Sequence, residues 1–477
     1  MESVATAIAR LGELAASPHV SALARAFADA GEELALVGGP VRDAFVGTAI
    51  NDLDFATNAR PDRILALVRP ISSTQWDIGR AFGTIGALID GHTVEITTYR
   101  SDAYDGATRK PVVEFGDTLE GDLLRRDFTV NAMALRLPEM KLIDPSGGIE
   151  DLMSRRLTTP GKPEVSFGDD PLRMMRAARF TSQLGFTVAE PTAVAMRDLA
   201  ERISIVSAER IRDELSKLLL TARPRPGLEL LVASGLAQHV LPELPALRLQ
   251  VDEHHHHKDV YEHSLTVLDQ AIALEEQRHA GAAPDLTLRL AALLHDIGKP
   301  ATKRIEPGGL VTFHHHDVVG SKLAAKRLRE LRFDKETITE VARLIELHLR
   351  FFGYTEGAWT DSAVRRYVRD AGGLLERLHI LTRADVTTRN RRKANRLASA
   401  YDDLEERIAT IAEQEELDAI RPDLDGEEIM KVLGLRPGPE VGRAYRFLLE
   451  LRLNEGPLGA EEATRRLREW RASGSPA

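Results

Sequence analysis

Residues 36–43 read Leu-Val-Gly-Gly-Pro-Val-Arg-Asp, and residues 51–57 read Asn-Asp-Leu-Asp-Phe-Ala-Thr. The first segment predicts a strand that ends in a glycine turn, and the second predicts a strand that carries two carboxylates. Because Asp52 and Asp54 are two residues apart in an extended chain, their side chains leave the same face and can share a metal ion. The two segments together predict an α/β nucleotide site that uses Mg²⁺.

The glycine turn provides a way to hold a phosphate. Gly38 and Gly39 lack Cβ atoms, so backbone N–H groups can approach phosphate oxygens, and the Arg42 guanidinium can donate to the same anion. Taken singly, the glycine pair fits an ordinary strand-ending turn and the aspartates fit a solvated edge. Taken in order, the two segments favour metal-assisted nucleotidyl transfer, with Asp43 orienting Arg42 or capping a helix.

A third carboxylate is expected near this aspartate pair. Residues 84–99 predict a β-hairpin that turns at Asp90-Gly91. Glu95 falls in its second strand and alternates with apolar neighbours, so its side chain points away from the apolar face. Glu95 is therefore a candidate catalytic residue together with the aspartates, and an exposed strand glutamate is the alternative that the spacing leaves open.

The chain of 477 residues is too long for one hydrophobic core, and its pattern changes near residue 150. Before that point short β-branched runs alternate with helices, and after it nearly every segment has helical periodicity. The sequence thus predicts an α+β multidomain protein in which an α/β head is followed by an all-α body.

Composition limits the partners that the chain can have. The formal net charge of −10 argues against coating nucleic acid through bulk charge, so contacts with a polynucleotide need local basic patches. No apolar run approaches the roughly 20 residues of a membrane span, and residues 1–4 do not resemble the start of a signal peptide, so we expect a cytoplasmic protein without a membrane partner.

Zero cysteines exclude disulfides and thiolate zinc sites. The densest basic cluster is either a polynucleotide contact or a solvated helix face, and it comprises Arg389, Arg391, Arg392, Lys393 and Arg396.

Three further segments complete a constellation. Residues 125–134 read Arg-Arg-Asp-Phe-Thr-Val-Asn-Ala-Met-Ala, residues 169–180 read Asp-Asp-Pro-Leu-Arg-Met-Met-Arg-Ala-Ala-Arg-Phe, and residues 207–215 read Ser-Ala-Glu-Arg-Ile-Arg-Asp-Glu-Leu. In order and spacing, the five segments resemble the class II nucleotidyltransferases, specifically the bacterial CCA-adding tRNA nucleotidyltransferases and their poly(A) polymerase relatives. The resemblance implies a polymerase-β-like head that extends RNA 3′ ends.

The helix expected to open at Asp170, with Pro171 in its first turn, carries the residues that the resemblance assigns to nucleobase selection. Cytosine and adenine both present an amino donor beside a ring-nitrogen acceptor, whereas uracil and guanine present the opposite order. A carboxylate and a guanidinium would therefore select CTP and ATP, and the resemblance gives these roles to Asp170 and Arg173. An N-cap aspartate with an i,i+3 ion pair is the structural alternative. Asp169 stands where the family more commonly has glutamate.

The resemblance also implies a triphosphate ligand at Arg126 and ribose contacts from Asp127 and Asn131. Catalysis would be an in-line attack of an RNA 3′-hydroxyl on the α-phosphorus, with Mg²⁺ bound by Asp52 and Asp54. The predicted nucleotide-binding residues are Gly38, Gly39, Arg42, Arg126, Asp127, Asn131, Asp170, Arg173, Arg176 and Arg179.

A histidine-rich region follows, in which the doublet His295-Asp296 ends an apolar helix. This region looks like an HD phosphohydrolase domain, and the ligand order of that family is filled by His263, His295, Asp296 and Asp385. Such donors suit a divalent transition metal or Mg²⁺ that carries a hydrolytic water. His316 and His348 either extend the site to two metals or are ordinary helix histidines. For a tRNA nucleotidyltransferase, the resemblance implies phosphatase or 2′,3′-cyclic phosphodiesterase action.

The sequence thus predicts an enzyme that adds CCA to tRNA 3′ ends from CTP and ATP. A poly(A) polymerase shares the same head, and the intact segment 101–118 mildly disfavours a CC-adding enzyme. A phosphohydrolase with a nucleotide-sensing head is the alternative from another class, while the paired aspartates disfavour a non-catalytic tRNA-binding protein. The expected domains are a nucleotidyltransferase head at 1–150, a helical nucleobase-reading and RNA-binding neck at 151–240, an HD domain at 241–400 and a helical tail at 401–477.

Overall fold

The computed structural model divides into two compact units, Met1–Pro242 and Glu243–Ala477. Part of the predicted segment 101–118 and Arg389 of the basic cluster lie outside the residues that the structure describes. The described residues are 2–50, 52–103, 112–116, 118–248, 251–252, 255–307, 311–351, 353–354, 359–388, 390–415 and 421–473.

The first unit is built on a mixed β-sheet. Its strands are β1 (Leu34–Val37), β2 (Leu53–Thr57), β3 (Thr74–Trp76), β4 (Thr84–Ile89), β5 (His92–Thr98), β6 (Arg100–Ala103), β7 (Val112–Phe115), β8 (Ala134–Leu137), β9 (Lys141–Ile143), β10 (Arg156–Leu157) and β11 (Thr187–Val188). Seven of them form one sheet in the order β3-β4-β5-β2-β1-β8-β9. Within it β2 and β5 pair in parallel and the other neighbours pair antiparallel.

The register of β2 against β5 decides where the acidic side chains lie. It pairs Asp54 with Glu95, so the two side chains leave the same face of the sheet at neighbouring positions. Along β5, Val94 and Ile96 are buried whereas Glu95 is exposed. The predicted hairpin over 84–99 and the outward direction of Glu95 are therefore confirmed.

Helices cover the sheet and extend the first unit beyond it. They are α1 (Val4–Ala16), α2 (Pro18–Asp29), α3 (Gly39–Val46), α4 (Pro61–Val68), α5 (Leu119–Leu124), α6 (Gly148–Met153), α7 (Pro163–Asp169), α8 (Leu172–Leu184), α9 (Glu190–Asp198), α10 (Ala208–Leu219), α11 (Arg225–Ala233) and α12 (Ala237–Val240). Short 3₁₀ turns lie at Arg80–Phe82, Thr129–Asn131 and Ala200–Ile205.

Helix α8 begins two residues later than the sequence predicts. Its first residue is Leu172 and its N-cap residue is Pro171, so Asp170 lies just outside the helix. The Asp170 carboxylate nevertheless accepts the backbone N–H of Leu172 at 3.2 Å and satisfies one of the free donors of the first turn. Asp170 therefore caps the helix from the preceding segment.

The second unit is almost entirely helical, as the sequence predicts. Its helices are α13 (Val260–Arg278), α14 (Leu286–Leu294), α15 (Lys299–Thr302), α16 (His316–Glu330), α17 (Lys335–Leu347), α18 (Asp361–Ala371), α19 (Leu375–Ala384), α20 (Arg391–Glu415), α21 (Gly426–Leu433), α22 (Pro439–Glu455) and α23 (Ala460–Ala472). Two short antiparallel pairs interrupt them, β12 (Val251–Asp252) with β13 (His255–Asp259) and β14 (Arg304–Ile305) with β15 (Val311–Thr312). Further 3₁₀ turns lie at Pro245–Leu247 and Gly372–Leu374.

The long helix α20 is fixed to its neighbours by one aromatic residue. The Tyr401 hydroxyl donates to the Thr382 carbonyl at 2.7 Å, and its ring stacks on Phe351 with 3.4 Å between centroids. The last three helices form a small core of their own, made by Leu424, Ile429, Ala444, Leu448, Ala463 and Leu467.

These observations confirm the predicted fold class, a mixed α/β head followed by a helical body. The predicted domain boundaries stay predictions. None of the described helices combines the length and the apolar character needed to span a bilayer.

We expect Gly227→Ala to destabilise the first unit by about 1–3 kcal/mol, the usual cost of overpacking a core. A Cβ atom at Gly227 in α11 would lie 2.3 Å from the Ala178 carbonyl oxygen in α8 and 2.7 Å from the Ser182 hydroxyl. Because the nearest atom belongs to the backbone, α8 and α11 would have to separate. Chemical denaturation monitored by circular dichroism measures the change.

Gly168→Ala is the matched control, since Gly168 is also helical and a Cβ there meets nothing within 4 Å. It should leave stability unchanged or raise it by up to about 1 kcal/mol. Equal destabilisation by both substitutions would contradict the close packing of α8 on α11.

Candidate nucleotide and metal sites

All residues predicted from the sequence for the nucleotide site line one cleft of the first unit, which has a volume of about 740 Å³. The sheet, the glycine turn and helix α8 each contribute to its wall. The predicted residues that line it are Gly38, Gly39, Arg42, Asp52, Asp54, Glu95, Arg126, Asp127, Asn131, Asp170, Arg173, Arg176 and Arg179.

Carboxylates occupy the sheet side of this cleft. Asp52 and Glu95 are exposed, and Asp54 is half-buried between them. Burial raises the pKa of Asp54 to about 6, the charges of Glu95 and Asp52 add to the effect, and Arg126 and Arg42 oppose it. Negative charge therefore outweighs positive charge around Asp54, and clustered carboxylate oxygens are the ligands that Mg²⁺ prefers. The donor set fits the predicted cation.

The glycine turn allows Arg126 to reach the cleft. Gly38 has a φ of +72°, and a Cβ atom there would lie 2.9 Å from Nη1 of Arg126. The Arg126 guanidinium also donates to Asp122 at 3.1 Å, and Asp122 is only 1% exposed. Glycine is favoured at this position because its positive φ would strain any other residue, and a larger side chain would also displace the end of Arg126.

A buried chain of polar contacts connects the glycine turn to helix α8. The Arg42 guanidinium donates to the Asn131 amide oxygen at 2.7 Å and to Asp43 at 2.8 Å. The Asn131 amide nitrogen donates to Asp127 at 3.1 Å, and Asp127 accepts from Arg176 at 2.7 Å. Burial opposes the charge on Asp127, but Arg176 and the surrounding donors outweigh it and lower the pKa to about 2.

The pair predicted to read the nucleobase is held in place on both sides. Arg173 donates to the Ser166 hydroxyl at 2.8 Å and to the Arg125 carbonyl oxygen at 2.6 Å. Asp170 accepts from Arg210 of α10 at 2.9 Å, in addition to capping α8. The backbone N–H of Arg173 donates to the Asp170 carbonyl at 3.0 Å. Among the described contacts their side chains do not bond each other, because the Asp170 carboxylate and the Arg173 guanidinium are each held by other groups.

Sequence reasoning assigned no role to Ser166 or Arg210. Ser166 lies seven residues before Arg173, in the preceding helix, and no spacing rule connects them. Arg210 belongs to the quoted segment 207–215, but its pairing with Asp170 depends on how α10 packs against α8. Both contacts come from tertiary structure.

The second unit contains a separate cluster of metal-ligand residues. Among the described residues, two groups bring three ligand atoms within 4.8 Å of one another. The first group is His263, His295 and Asp385, and the second is Asp296, His316 and His348. The predicted quartet is thus brought together, and His316 and His348 join it.

Asp296 belongs to the second group and also contacts the first. Its Oδ2 is 3.2 Å from His295 Nε2, and its Oδ1 is 3.3 Å from His316 Nε2. Burial opposes protonation of His295, but the charges of Asp296 and Asp385 outweigh it and raise the pKa to about 10. The carboxylates therefore favour a cation among these imidazoles.

Backbone carbonyls orient the imidazoles of this cluster. His295, His316 and His348 each place Nδ1 2.6–2.9 Å from the carbonyl oxygen of the residue three positions earlier. A carbonyl accepts only, so Nδ1 carries a proton in each of these rings, and Nε2 is the atom that would bind a metal at the centre. Burial and the positive charge of His295 lower the pKa of His348 to about 4, which keeps it neutral. This arrangement fits divalent metal binding.

Lys299 is a further charged group that sequence reasoning did not single out. Its Nζ lies 2.9 Å from Asp296 Oδ2, and the side chain is largely buried. The spacing of three residues from Asp296 was the available signal.

Three family models match the chain in succession. The Poly A polymerase head domain matches residues 34–158, the probable RNA- and SrmB-binding site of polymerase A matches residues 185–247, and the HD domain matches residues 260–390. The three matched ranges follow one another along the chain without overlap.

Two similar relatives extend over nearly the whole chain. The A-adding tRNA nucleotidyltransferase of Deinococcus radiodurans is 35% identical over 446 residues, covering 91% of this chain and 95% of that protein. The CC-adding tRNA nucleotidyltransferase of Thermus thermophilus is 33% identical over 455 residues, covering 92% and 95%. The CCA-adding enzyme of Bacillus subtilis is 39% identical over 217 residues, which is 45% of this chain and 53% of that enzyme.

Solved structures show the same fold. The Bacillus stearothermophilus CCA-adding enzyme in complex with CTP aligns with a TM-score of 0.66 and 24% identity, covering 96% of this chain and 98% of that one. The matched domains, the identity over nearly full length and the shared fold lead to one conclusion. The chain belongs to the tRNA nucleotidyltransferase family, as an enzyme that combines a poly(A) polymerase-type head with an HD domain.

Proposed function

We propose that this enzyme adds cytidine, cytidine and adenosine in turn to the 3′ end of tRNA, taking them from CTP and ATP. The observation that carries the proposal is one cleft in which Asp52 and Asp54 face the same space as Asp170 and Arg173. The aspartates could then bind the metal at the reacting phosphate while Asp170 and Arg173 bind the base of the same nucleotide. The relatives named A-adding and CC-adding make the number of added nucleotides the main point to test.

The reaction forms a bond between the RNA 3′-oxygen and the α-phosphorus and breaks the bond from that phosphorus to the bridging oxygen of pyrophosphate. Arg42 and Arg126 line the same cleft as the glycine turn and would bind the triphosphate oxygens. Mg²⁺ on Asp52 and Asp54 would activate the hydroxyl and stabilise the leaving pyrophosphate. Positioning and charge neutralisation supply nearly all of the catalysis.

Base selection would come from Asp170 and Arg173 acting as a protein template. The carboxylate accepts from the exocyclic amino group of cytosine or adenine, and the guanidinium donates to the adjacent ring nitrogen. Uracil and guanine place a carbonyl where these bases place the amino group, so it would face the carboxylate without a donor. The same two side chains suit both CTP and ATP, which supports addition of the whole trinucleotide.

A second activity is favoured by the metal-ligand cluster of the HD domain. Six inward-facing ligand residues would hold a divalent ion, either a transition metal or Mg²⁺, that supplies a hydrolytic water. We propose that the water oxygen attacks phosphorus of a 2′,3′-cyclic phosphate or a terminal phosphate, and that the ester oxygen leaves as a hydroxyl. Lys299 is placed to bind a phosphate oxygen next to Asp296.

The decisive experiment incubates the protein with tRNAs that end before, within and after the CCA sequence, together with each of the four triphosphates. The proposal predicts two cytidines followed by one adenosine and no further growth. Extension that stops after two cytidines would assign the enzyme to the CC-adding type. Addition of adenosine only to tRNA that already ends in the two cytidines would assign it to the A-adding type. Long adenosine tails on arbitrary RNA would identify a poly(A) polymerase.

Asp54→Asn should lower nucleotide addition at least about a thousandfold, because metal stabilisation of transition-state charge contributes several kcal/mol. It should leave phosphate-ester hydrolysis intact, and His295→Ala should have the opposite effect. Asp62→Asn, an exposed aspartate outside the cleft, is the control for the substitution. Loss of both activities in either folded variant would refute independent sites.

Ser166→Ala should weaken selection of CTP and ATP over UTP and GTP by about tenfold, because a hydrogen bond to a charged group typically contributes about 1.5–3 kcal/mol. Arg173→Ala should weaken it further. The measurement is kcat/KM for each triphosphate on the same tRNA.

Ser166→Thr keeps the hydroxyl and should restore selection, which separates positioning of Arg173 from simple packing. Ser204→Ala removes an exposed hydroxyl bond to the Glu201 carbonyl outside the cleft, and it should have no effect. Unchanged selectivity in both Ser166→Ala and Arg173→Ala would reject the base-reading role.

A further inference from the structure

Most arginines of the second unit have carboxylate partners, so its unpaired cations stand out. The arginines in ion pairs include Arg278, Arg289, Arg327, Arg343, Arg350, Arg366, Arg369, Arg377, Arg383 and Arg407. Six exposed cations on the two segments that leave the HD centre have no side-chain partner among the described residues. These six, which we name the basic collar, are Lys303, Arg304, Arg391, Arg392, Lys393 and Arg396.

The first arm of the collar follows the His-Asp doublet. Lys299 lies 2.9 Å from Asp296, and the four-residue helix α15 ends at Thr302, immediately before Lys303. Chain geometry therefore keeps the Lys303 Cα within about 15 Å of the Lys299 Cα. Arg304 follows at the start of β14 and is exposed.

The second arm follows the distant aspartate ligand. The Thr387 hydroxyl lies 3.1 Å from Nδ1 of His263, and Arg391 comes only four residues later, again within about 15 Å. The other end of this arm is also near the centre, because the Tyr401 hydroxyl donates at 2.7 Å to the carbonyl oxygen of Thr382, three residues before Asp385. The cations at 391–396 thus lie on a stretch of chain that approaches the HD centre at both ends.

One face of α20 carries both a cation of the second arm and residues that pack in the core of the second unit. Lys393, Leu397 and Tyr401 follow one another at intervals of four residues and share a helix face. Leu397 and Tyr401 are buried, whereas Lys393 is exposed at the end of that face. The face therefore continues past the packed core and carries an exposed cation in the first turn of α20, eight residues after Asp385 in the chain.

We propose that the basic collar binds the phosphodiester backbone of single-stranded RNA, so that the HD centre acts on the phosphorylated 3′ terminus of an RNA chain in preference to free mononucleotides. The inference rests on the proposed hydrolytic function and names its substrate. Free cations near a phosphate-ester site attract a polyanion through charge, and their effect depends on salt. A mononucleotide has no flanking phosphates for the collar to bind.

The test compares two probes that share a reactive group: 2′,3′-cyclic AMP and a twelve-nucleotide RNA that ends in adenosine 2′,3′-cyclic phosphate. The full chain is assayed with Mg²⁺, Mn²⁺ or Ni²⁺ over a range of salt concentrations. Arg392→Ala/Lys393→Ala should lower kcat/KM about tenfold for the RNA and leave it unchanged for cyclic AMP. The salt slope for the RNA should fall by about 1.4, since each single-strand phosphate contact contributes about 0.7.

The matched control is Arg329→Ala/Lys335→Ala, which also removes one exposed arginine and one exposed lysine that have no side-chain partner in the described part of the chain. Arg329 lies about 20 Å from His316 along α16, by the rise of the helix. This variant should match the parent with both probes. An equal loss on both probes in the collar variant, or an equal loss on RNA in the control, would overturn the proposal.

A chain that lacks hydrolytic activity can be told apart from a chain whose collar does not bind RNA. If the parent enzyme hydrolyses neither probe with any of the three metals, the HD activity is refuted, and the collar is then judged by fluorescence anisotropy with the same RNA. Weaker RNA binding with a smaller salt slope in the collar variant alone would keep the collar as an RNA surface. Binding equal to the control, or competition by polyglutamate as strong as that by RNA, would reject it.

Discussion

The parallel pairing of β2 with β5 is the constraint on which the nucleotide site depends. It fixes Asp54 beside Glu95, and Asp52 lies two residues before Asp54 on the same face. Burial and this concentration of carboxylates raise the pKa of Asp54 to about 6, so this part of the sheet surface favours an added positive charge. The opposite side of the cleft is rich in arginine, which suits the phosphates that would accompany the cation.

The second element of the site is held to the first by buried polar contacts. Arg42, Asn131, Asp127 and Arg176 form a continuous chain from the glycine turn to helix α8. Breaking one of these contacts would leave a buried polar or charged group without its partner, and such groups are costly. The helix that presents Arg173 is thereby kept in a fixed relation to the carboxylates, which a protein template requires if the base is to be read where the phosphate reacts.

Sequence could predict the features that depend on local periodicity. Alternation along a strand gave the directions of Asp54 and Glu95, and the His295-Asp296 doublet located the second cluster. Alternation could not show that Ser166 and the Arg125 carbonyl hold Arg173, because those contacts join separate segments. The predicted start of α8 was wrong by two residues, because Pro171 takes the N-cap position and Asp170 caps the helix from outside. The orientation of His316 and His348 likewise depends on contacts with the backbone carbonyls of Phe313 and Ile345.

The two proposed chemistries are related through the RNA end itself. Nucleotidyl transfer needs a free 3′-hydroxyl as nucleophile, and an RNA whose terminus carries a 2′,3′-cyclic phosphate has none. Opening that ring at the 3′-oxygen restores the hydroxyl but leaves a 2′-phosphate, so complete repair also requires hydrolysis of a monoester. His263, His295 and Asp385 on one side and Asp296, His316 and His348 on the other would suit two divalent ions, which would supply hydrolytic water for both reactions. The HD reaction would therefore precede nucleotide addition on damaged ends, and an intact end would need only the cleft of the first unit.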